Sequence, residues 1–345
     1  MRVSLAYGGY PFYHLAVLAL HILAALLAGF LALRAGAGAL GAVFAALLFG
    51  VHQTNALAVL SLDGAGQTGC VAFGGLALVL LWTREEAPGA ARSALAASAL
   101  LVSMLWKDAG AGFAAAAAIL WLRYLPSKPV RALAGLLLLT GVVGLYGWMR
   151  WRAGALLPSF GGATRYDLQL GWNLAKNAGM LLASLASPIA STQVVARSDD
   201  PYFMALAAAL AIGSLGFVVV GVRAVIPVLL FATLLLPDAL LARVSELYAY
   251  KPALIFAAVA GVAVARSAAA LCRFFVPDSC LPRACFLCCT ACRPRTRNAL
   301  CAPTATAPPI SRRSFTRGSR RWPGARRSSS PITKKSLRRC IRFSS

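Results

Sequence analysis

Residues 91–124, ARSALAASALLVSMLWKDAGAGFAAAAAILWLRY, decide how this chain folds. Two apolar runs, each near the shortest length that crosses a bilayer, meet at one adjacent cation and anion, Lys107 and Asp108. The pattern predicts a helical hairpin in a membrane with a charged turn at its mouth. An ionisable pair in that position is a candidate functional site by default.

Composition extends this reading to most of the chain. Of 345 residues, 59% are hydrophobic and 13% charged, against roughly 25% charged in an average soluble domain. Mean hydropathy is +0.72. Lipid must therefore cover apolar area that a polar surface this small leaves exposed. The expected fold is all-α: a polytopic transmembrane helical bundle of about eight to ten spans, with no room for a separate soluble domain of ordinary size.

The net charge of +24 is unevenly placed. All ten acids lie between Asp63 and Asp278; residues 1–278 hold eighteen Lys or Arg to oppose them, whereas residues 279–345 hold sixteen Lys or Arg and no acid. The basicity belongs to the tail. Eight of the nine cysteines follow the same division: Cys272, Cys280, Cys285, Cys288, Cys289, Cys292, Cys301 and Cys340, with Cys70 alone in the body as a small buried hydrophobe. The expected organisation is a bundle over 1–271 and a basic Cys/Arg/Pro-rich tail over 272–345. Lacking helical or strand periodicity, the tail reads as disordered or as out-of-frame GC-rich coding sequence. The spacing of Cys285, Cys288, Cys289 and Cys292 resembles zinc ligation, but a second spaced pair in a foldable domain is missing. A genuine tail would lie on anionic lipid, and any nucleic-acid binding by it would be nonspecific.

Reading forward from the start, 13–33 forms a span with His14 and His21 two turns apart on one side. It needs no cleavage as a signal peptide. A short connection leads to the span 36–60, and Gly38, Gly41, Ala42 and Ala45 would let the two helices pack closely. His52, Gln53, Thr54 and Asn55 interrupt that second run and must point into the bundle or sit at the interface. Asp63 lies in a Gly-rich loop before a short third span ending near Trp82.

The loops then alternate in charge. Arg34, the Arg84/Arg92 loop and the Arg123/Lys128/Arg131 loop are basic, and the Asp63 and Lys107-Asp108 connections are not. The positive-inside tendency puts the first set in the cytoplasm and the second outside. A sixth span, 130–149, ends in WMRWR. Beyond it a polar stretch with Arg165, Asp167, Trp172, Lys176 and Asn177 falls outside by parity, as a surface loop or as a holder of a sugar or polar headgroup. Apolar runs at 178–196, 201–222, 224–241 and 253–265 complete the body, with Pro188, Pro227 and Pro237 as kink sites. Tyr248 and Tyr250 read as aromatic-belt residues, with Lys251 snorkelling beside them.

The ordered series PFYHLAVLALH, AALLFGVHQTNALAVLSLDG, SMLWKDAG and LYAYKPAL resembles membrane-embedded GT-C glycosyltransferases over roughly residues 10–254. The similarity is to the protein O-mannosyltransferase-like group and to membrane glycosyltransferase-like proteins that carry tetratricopeptide repeats. Pro11, His14 and His21 match the first motif, with Val17 where Asn is usual; His52 matches the second, with Gln53 and Asn55 near where Pro and Glu are usual. Lys107-Asp108 matches a Lys-Glu pair, and Tyr248, Tyr250 and Pro252 match a late Tyr-x-Tyr-x-Pro element. The family's opening span and large acidic outward loop have no counterpart here, so the chain reads as N-terminally truncated.

The resemblance implies a multi-pass protein of the bacterial inner (plasma) membrane. It would transfer a sugar from a polyprenyl-phosphate-linked donor to an acceptor at the outer face, or would be inactive for want of the acidic loop. Such chemistry wants a carboxylate to activate the acceptor and a cation or a divalent metal to steady the departing phosphate. Asp63 and His52 are then the catalytic candidates. Lys107, Asp108, His14, Tyr248 and Tyr250 are the substrate-binding ones, and no metal ligands are assigned. Each has a plainer rival: a turn-forming Asp63, core histidines, and an ion pair between Lys107 and Asp108. The alternatives in other classes are a polytopic transporter or flippase, expected to bury charges inside its spans, and a noncatalytic membrane scaffold.

Overall fold

The computed structural model describes residues 9–61, 64–83, 86–155, 171–186, 197, 199–221, 225–241 and 245–275. The chain divides into two compact units, Met1–Pro294 and Arg295–Ser345, and every described residue belongs to the first. Asp63, Arg84, Arg165, Asp167, Pro188 and the tail beyond Phe275 lie outside the described residues.

Among the described residues the fold is all-α, with eleven α-helices. In chain order they are α1 (Gly9–Ala35), α2 (Gly38–Val51), α3 (Ala56–Leu60), α4 (Ala65–Leu81), α5 (Ala90–Trp106), α6 (Ala111–Leu122), α7 (Pro129–Arg152), α8 (Trp172–Ala186), α9 (Pro201–Gly221), α10 (Val225–Ala239) and α11 (Tyr250–Phe275). Single 3₁₀ turns precede α3, α6 and α11, at Gln53–Asn55, Asp108–Gly110 and Glu246–Ala249. The last helix runs through Cys272 to Phe275.

By length and composition, three helical stretches can cross a membrane: Pro11–Ala35, Pro129–Arg152 and Leu247–Leu271. Gly38–Val51 with Gln53–Leu60 forms a fourth, bent by 48°. Five more apolar helices are shorter: Ala65–Leu81, Ala90–Trp106, Asp108–Leu122, Pro201–Ser214 and Ile226–Ala239. This is an integral, multi-pass helical membrane protein, though with fewer full-length spans among the described residues than the expected eight to ten. A helix of 17 residues such as α4 rises about 26 Å, just short of a typical hydrocarbon core.

Local chemistry sets the helix ends. α1 stops where Gly36 takes a φ of 97°, a left-handed conformation that suits a residue with no Cβ. α7 opens on Pro129 and closes with Arg150 and Arg152 in its last turn, where cations favour the dipole. The Asp200 carboxylate caps α9, accepting from the backbone N–H groups of Tyr202 and Phe203 at 3.0 and 3.2 Å. The bend after α2 follows from His52, whose ψ of 129° breaks the helix. Thr54 and Asn55 turn inward, each 1% exposed, and the Asn55 amide donates to the Phe49 carbonyl that the break would otherwise strand.

At the centre stands α11. It packs on α1, α2, α4, α9 and α10, and every residue from 251 to 262 is buried, the all-round apolar pattern of an interior helix. Small residues permit this. A Cβ at Gly41 would collide with the Gly261 carbonyl oxygen, and one at Gly261 with the Gly41 carbonyl oxygen, so the two backbones touch. The expected partner for Gly41 and Ala45 was α1. Their partner here is the α11 crossing at Gly261, while Ala42 meets α1 at Gly29.

Two of the basic connections meet each other, as do two of the remaining segment ends. Thr83 and Tyr124, from the two basic loops, share a 2.7 Å hydroxyl hydrogen bond at one end of the bundle. Asp108 and Arg150, from two of the other connections, meet at 2.9 Å. The expected span 178–196 differs: α8 starts at Trp172, inside the stretch read as a polar loop, and is not among the apolar helices. Its buried residues Asn177, Leu181, Ser184 and Leu185 share one face, whereas Trp172, Lys176 and Met180 lie exposed on another, the pattern of an amphipathic helix.

Gly41→Leu should push α2 off α11. The expected loss is about 3 kcal/mol of stability, read as a lower unfolding midpoint in detergent micelles, with Gly141→Leu, where a Cβ meets open space, as the unaffected control.

Candidate functional site

The α5–α6 turn gathers sequence-distant ionisable groups. Lys107 is extended, with φ −160° and ψ 138°, so it and Asp108 project in different directions. Asp108 is exposed; it accepts from the Tyr146 hydroxyl and pairs with Arg150. Lys107 is half-buried, its Nζ 5.4 Å from the centre of the Tyr248 ring, within range of a cation–π contact. The partners that these two residues show are thus on α7 and in the turn before α11.

Behind this turn lies a buried ion pair. Lys251 Nζ is 2.7 Å from Asp238 Oδ2, with side chains 0% and 4% exposed. The same ammonium lies 3.5 Å from the carbonyl oxygen of Ala109, inside the α5–α6 turn. Lys251 therefore does not snorkel. Its stem enters the bundle because an acid waits there, and without that acid the charge would be too costly to bury.

Tyr248 and Tyr250 are likewise buried, at 6% and 0% exposure, rather than forming an aromatic belt. The Tyr250 hydroxyl donates to His21 Nδ1 at 2.8 Å, since His21 Nε2–H is committed to the Gly50 carbonyl at 3.0 Å. Phe49 packs between them, 5.6 Å from His21 and 5.2 Å from Tyr250 by ring centres. His21 is a tie between α1, α2 and α11.

His52 is occupied in a similar way. Its Nε2–H donates to the Leu185 carbonyl at 3.0 Å, and Nδ1 lies 2.8 Å from the Thr54 hydroxyl. Beside it opens a largely apolar groove of about 660 Å³, lined by Phe44, Leu48, Leu185, Gly213 and Phe256 among others. His14 does not line that groove; it is half-buried on α1 against Tyr13, ring centres 5.8 Å apart. The catalytic candidate His52 and the substrate-binding candidate His14 therefore do not share that groove. Of the polar stretch after α7, Trp172 and Lys176 are exposed, while Asn177 is consumed in structure: its amide donates to the Ala239 and Leu241 carbonyls at the end of α10, joined by Asn173.

Four participants escaped the sequence reading: Asp238, Tyr146, Arg150 and Gln67. Asp238 carried the clearest signal, an acid inside the apolar run LLLPDALL, which in lipid demands a partner. Gln67 on α4 is fully buried, and neither of its amide atoms has a hydrogen-bond partner among the described residues. Its neighbour Gly66 faces the Trp106 carbonyl and the stem of Lys107. Cys70 is bland, as expected: it is buried, and Ser103 donates to its carbonyl at 2.7 Å. Among the described residues no three His, Cys, Asp or Glu side chains converge as metal ligands. Asp63, the carboxylate candidate, lies outside the described residues.

No protein-family model matches the chain, and comparisons with curated proteins and with solved structures also gave no match.

The buried pair can be tested by a double-mutant cycle. Asp238→Leu or Lys251→Met alone should cost about 3 to 5 kcal/mol by stranding the other charge, while the two together should stay close to the parent. Unfolding midpoints in micelles measure all three.

Proposed function

We propose that the protein is a bacterial inner-membrane glycosyltransferase of GT-C-like fold, binding the phosphate of a polyprenyl-linked sugar donor beside the α5–α6 turn. The observation that carries this reading is the convergence of Lys107, Asp108, Tyr146, Arg150 and Tyr248, from separate parts of the chain, on one turn at a bundle end. Cations at a membrane mouth suit a lipid phosphate, with Lys107 acting as a point charge on a flexible stem. The orphan amide of Gln67, close in sequence to the residue that faces Lys107, adds polar capacity of the kind a ligand site retains. In this reading Lys107 and Arg150 hold the donor's anionic end, Tyr248 holds Lys107, and the carboxylate that activates the acceptor is assigned to Asp63.

A transporter or flippase is the second reading, and one observation favours it. The Asp238–Lys251 pair is buried inside the helical bundle, as that class would require.

One preparation separates the two. In proteoliposomes loaded with a lipid-linked sugar, Lys107→Ala should abolish transfer to an acceptor while leaving the amount of protein in the membrane unchanged. Unaltered transfer would remove the role given to Lys107. Translocation of the donor without transfer, lost in Asp238→Asn, would replace the transferase reading with the transporter one.

A further inference from the structure

We propose that Tyr248 and Lys251 are positioning residues for the α5–α6 turn. They set the place of Lys107 from two sides, and the buried Asp238 carboxylate fixes Lys251 for the task. The inference rests on the phosphate-binding reading of Lys107 for its functional consequence, and on geometry alone for its mechanical one.

Lys251 reaches two groups at once: Asp238 Oδ2 at 2.7 Å and the Ala109 carbonyl at 3.5 Å. A lysine without a fixed counter-charge would hold a backbone carbonyl poorly, because four rotatable bonds must be frozen for one contact. Asp238 supplies that anchor from α10. Three residues earlier, the Tyr248 ring, 6% exposed, lies under the Lys107 ammonium at 5.4 Å. One residue earlier, Tyr250 is fixed to His21 on α1. The segment from Tyr248 to Lys251 is therefore pinned by α1 and α10, and in turn pins the turn at Lys107 and Ala109. Within the turn the Gly110 N–H donates to the Lys107 carbonyl at 2.8 Å, and the Ala111 N–H faces the Asp108 and Ala109 carbonyls. The two contacts from the segment before and at the start of α11 join those of Asp108 with Tyr146 and Arg150 on α7 in holding the turn.

The arrangement separates charge neutralisation from positioning. A pair that served only to neutralise itself would be replaceable by two apolar residues without effect at the turn. A pair that also holds the Ala109 carbonyl would not, because the apolar replacement keeps the bundle folded but releases the turn.

The test uses the full chain in lipid nanodiscs with a short-chain polyprenyl monophosphate as probe. The double variant Asp238→Leu/Lys251→Met should keep the parental unfolding midpoint yet bind the probe roughly tenfold to a hundredfold more weakly, the size of a lost contact to a charged group. Lys251→Arg, which can reach both partners, should retain binding. Tyr248→Leu should weaken binding by a similar factor and Tyr248→Phe should not, which keeps the proposal testable if the double variant fails to fold. A folded double variant, or Tyr248→Leu, that binds like the parent overturns it.

Lys107→Met separates this from the reading beneath it. If that variant binds the probe as well as the parent, the phosphate reading falls, and amide hydrogen exchange at residues 107–110 decides the positioning claim alone. Faster exchange there in the double variant and in Tyr248→Leu, with exchange in α4 unchanged, supports it; parental exchange in both overturns it.

Discussion

One lysine inside an apolar bundle constrains most of this architecture. Lys251 is 0% exposed and has Asp238 at 2.7 Å. Two charges buried this deeply are tolerable only at contact, because each one's desolvation cost is met chiefly by the other. That requirement fixes where α10 crosses the start of α11. A sliding of either helix by one turn, about 5.4 Å, would separate the charges. It also fixes rotation, since Tyr248, Tyr250 and Lys251 are nearly consecutive yet face three different neighbours: Lys107, His21 and Asp238.

Directional contacts of this sort matter because the rest of the packing has little preference of its own. Apolar helices in lipid gain no hydrophobic advantage by touching one another, so association depends on close fit and a few polar ties. Close fit comes from Gly41 against Gly261, and from ring-against-glycine contacts such as Phe113 on Gly74 and Trp121 on Gly135. The polar ties are Ser103 to Cys70, Tyr124 to Thr83, and the His21 and His52 rings to the carbonyls of Gly50 and Leu185. Each removes a stranded donor or acceptor while joining two elements. Glycine allows approach, and the polar groups then select one register among many.

What could be read from the sequence follows from this division. The hairpin with its charged turn and the break at His52 were legible because each is local: a run length, and four polar residues in an apolar stretch. The fates of Tyr248, Tyr250 and Lys251 were not. Aromatic residues and a lysine at the edge of an apolar run give the same local pattern whether they line an interface or enter the core. Burial was decided by Asp238, thirteen positions earlier and on another helix. That acid was visible, but no rule of spacing pairs it with Lys251 rather than with Lys107. The start of α8 was hidden for a related reason. Its N-terminal turn is polar because Asn173 and Asn177 cap the end of α10, and a polar first turn reads as loop until its partner is known.

The buried pair bears on both functional readings, and its surroundings weigh them. A carrier that moves charge through its interior needs the charged site to meet water alternately from each side. Lys251 is instead tied at once to α10 and to the backbone of the α5–α6 turn, and its neighbours in α11 are tied to α1. Releasing it would disturb elements from both ends of the described chain. A charge so placed suits a fixed support more than a moving part, and what it supports is the turn that carries Lys107. The exposed pair of Asp108 with Arg150, with side chains 62% and 37% exposed, is of the kind that contributes little to stability. Its charges can therefore be redirected toward an anionic ligand at small cost. A rigid interior pair behind a loosely committed surface pair is the arrangement that the proposed binding of a lipid phosphate would use.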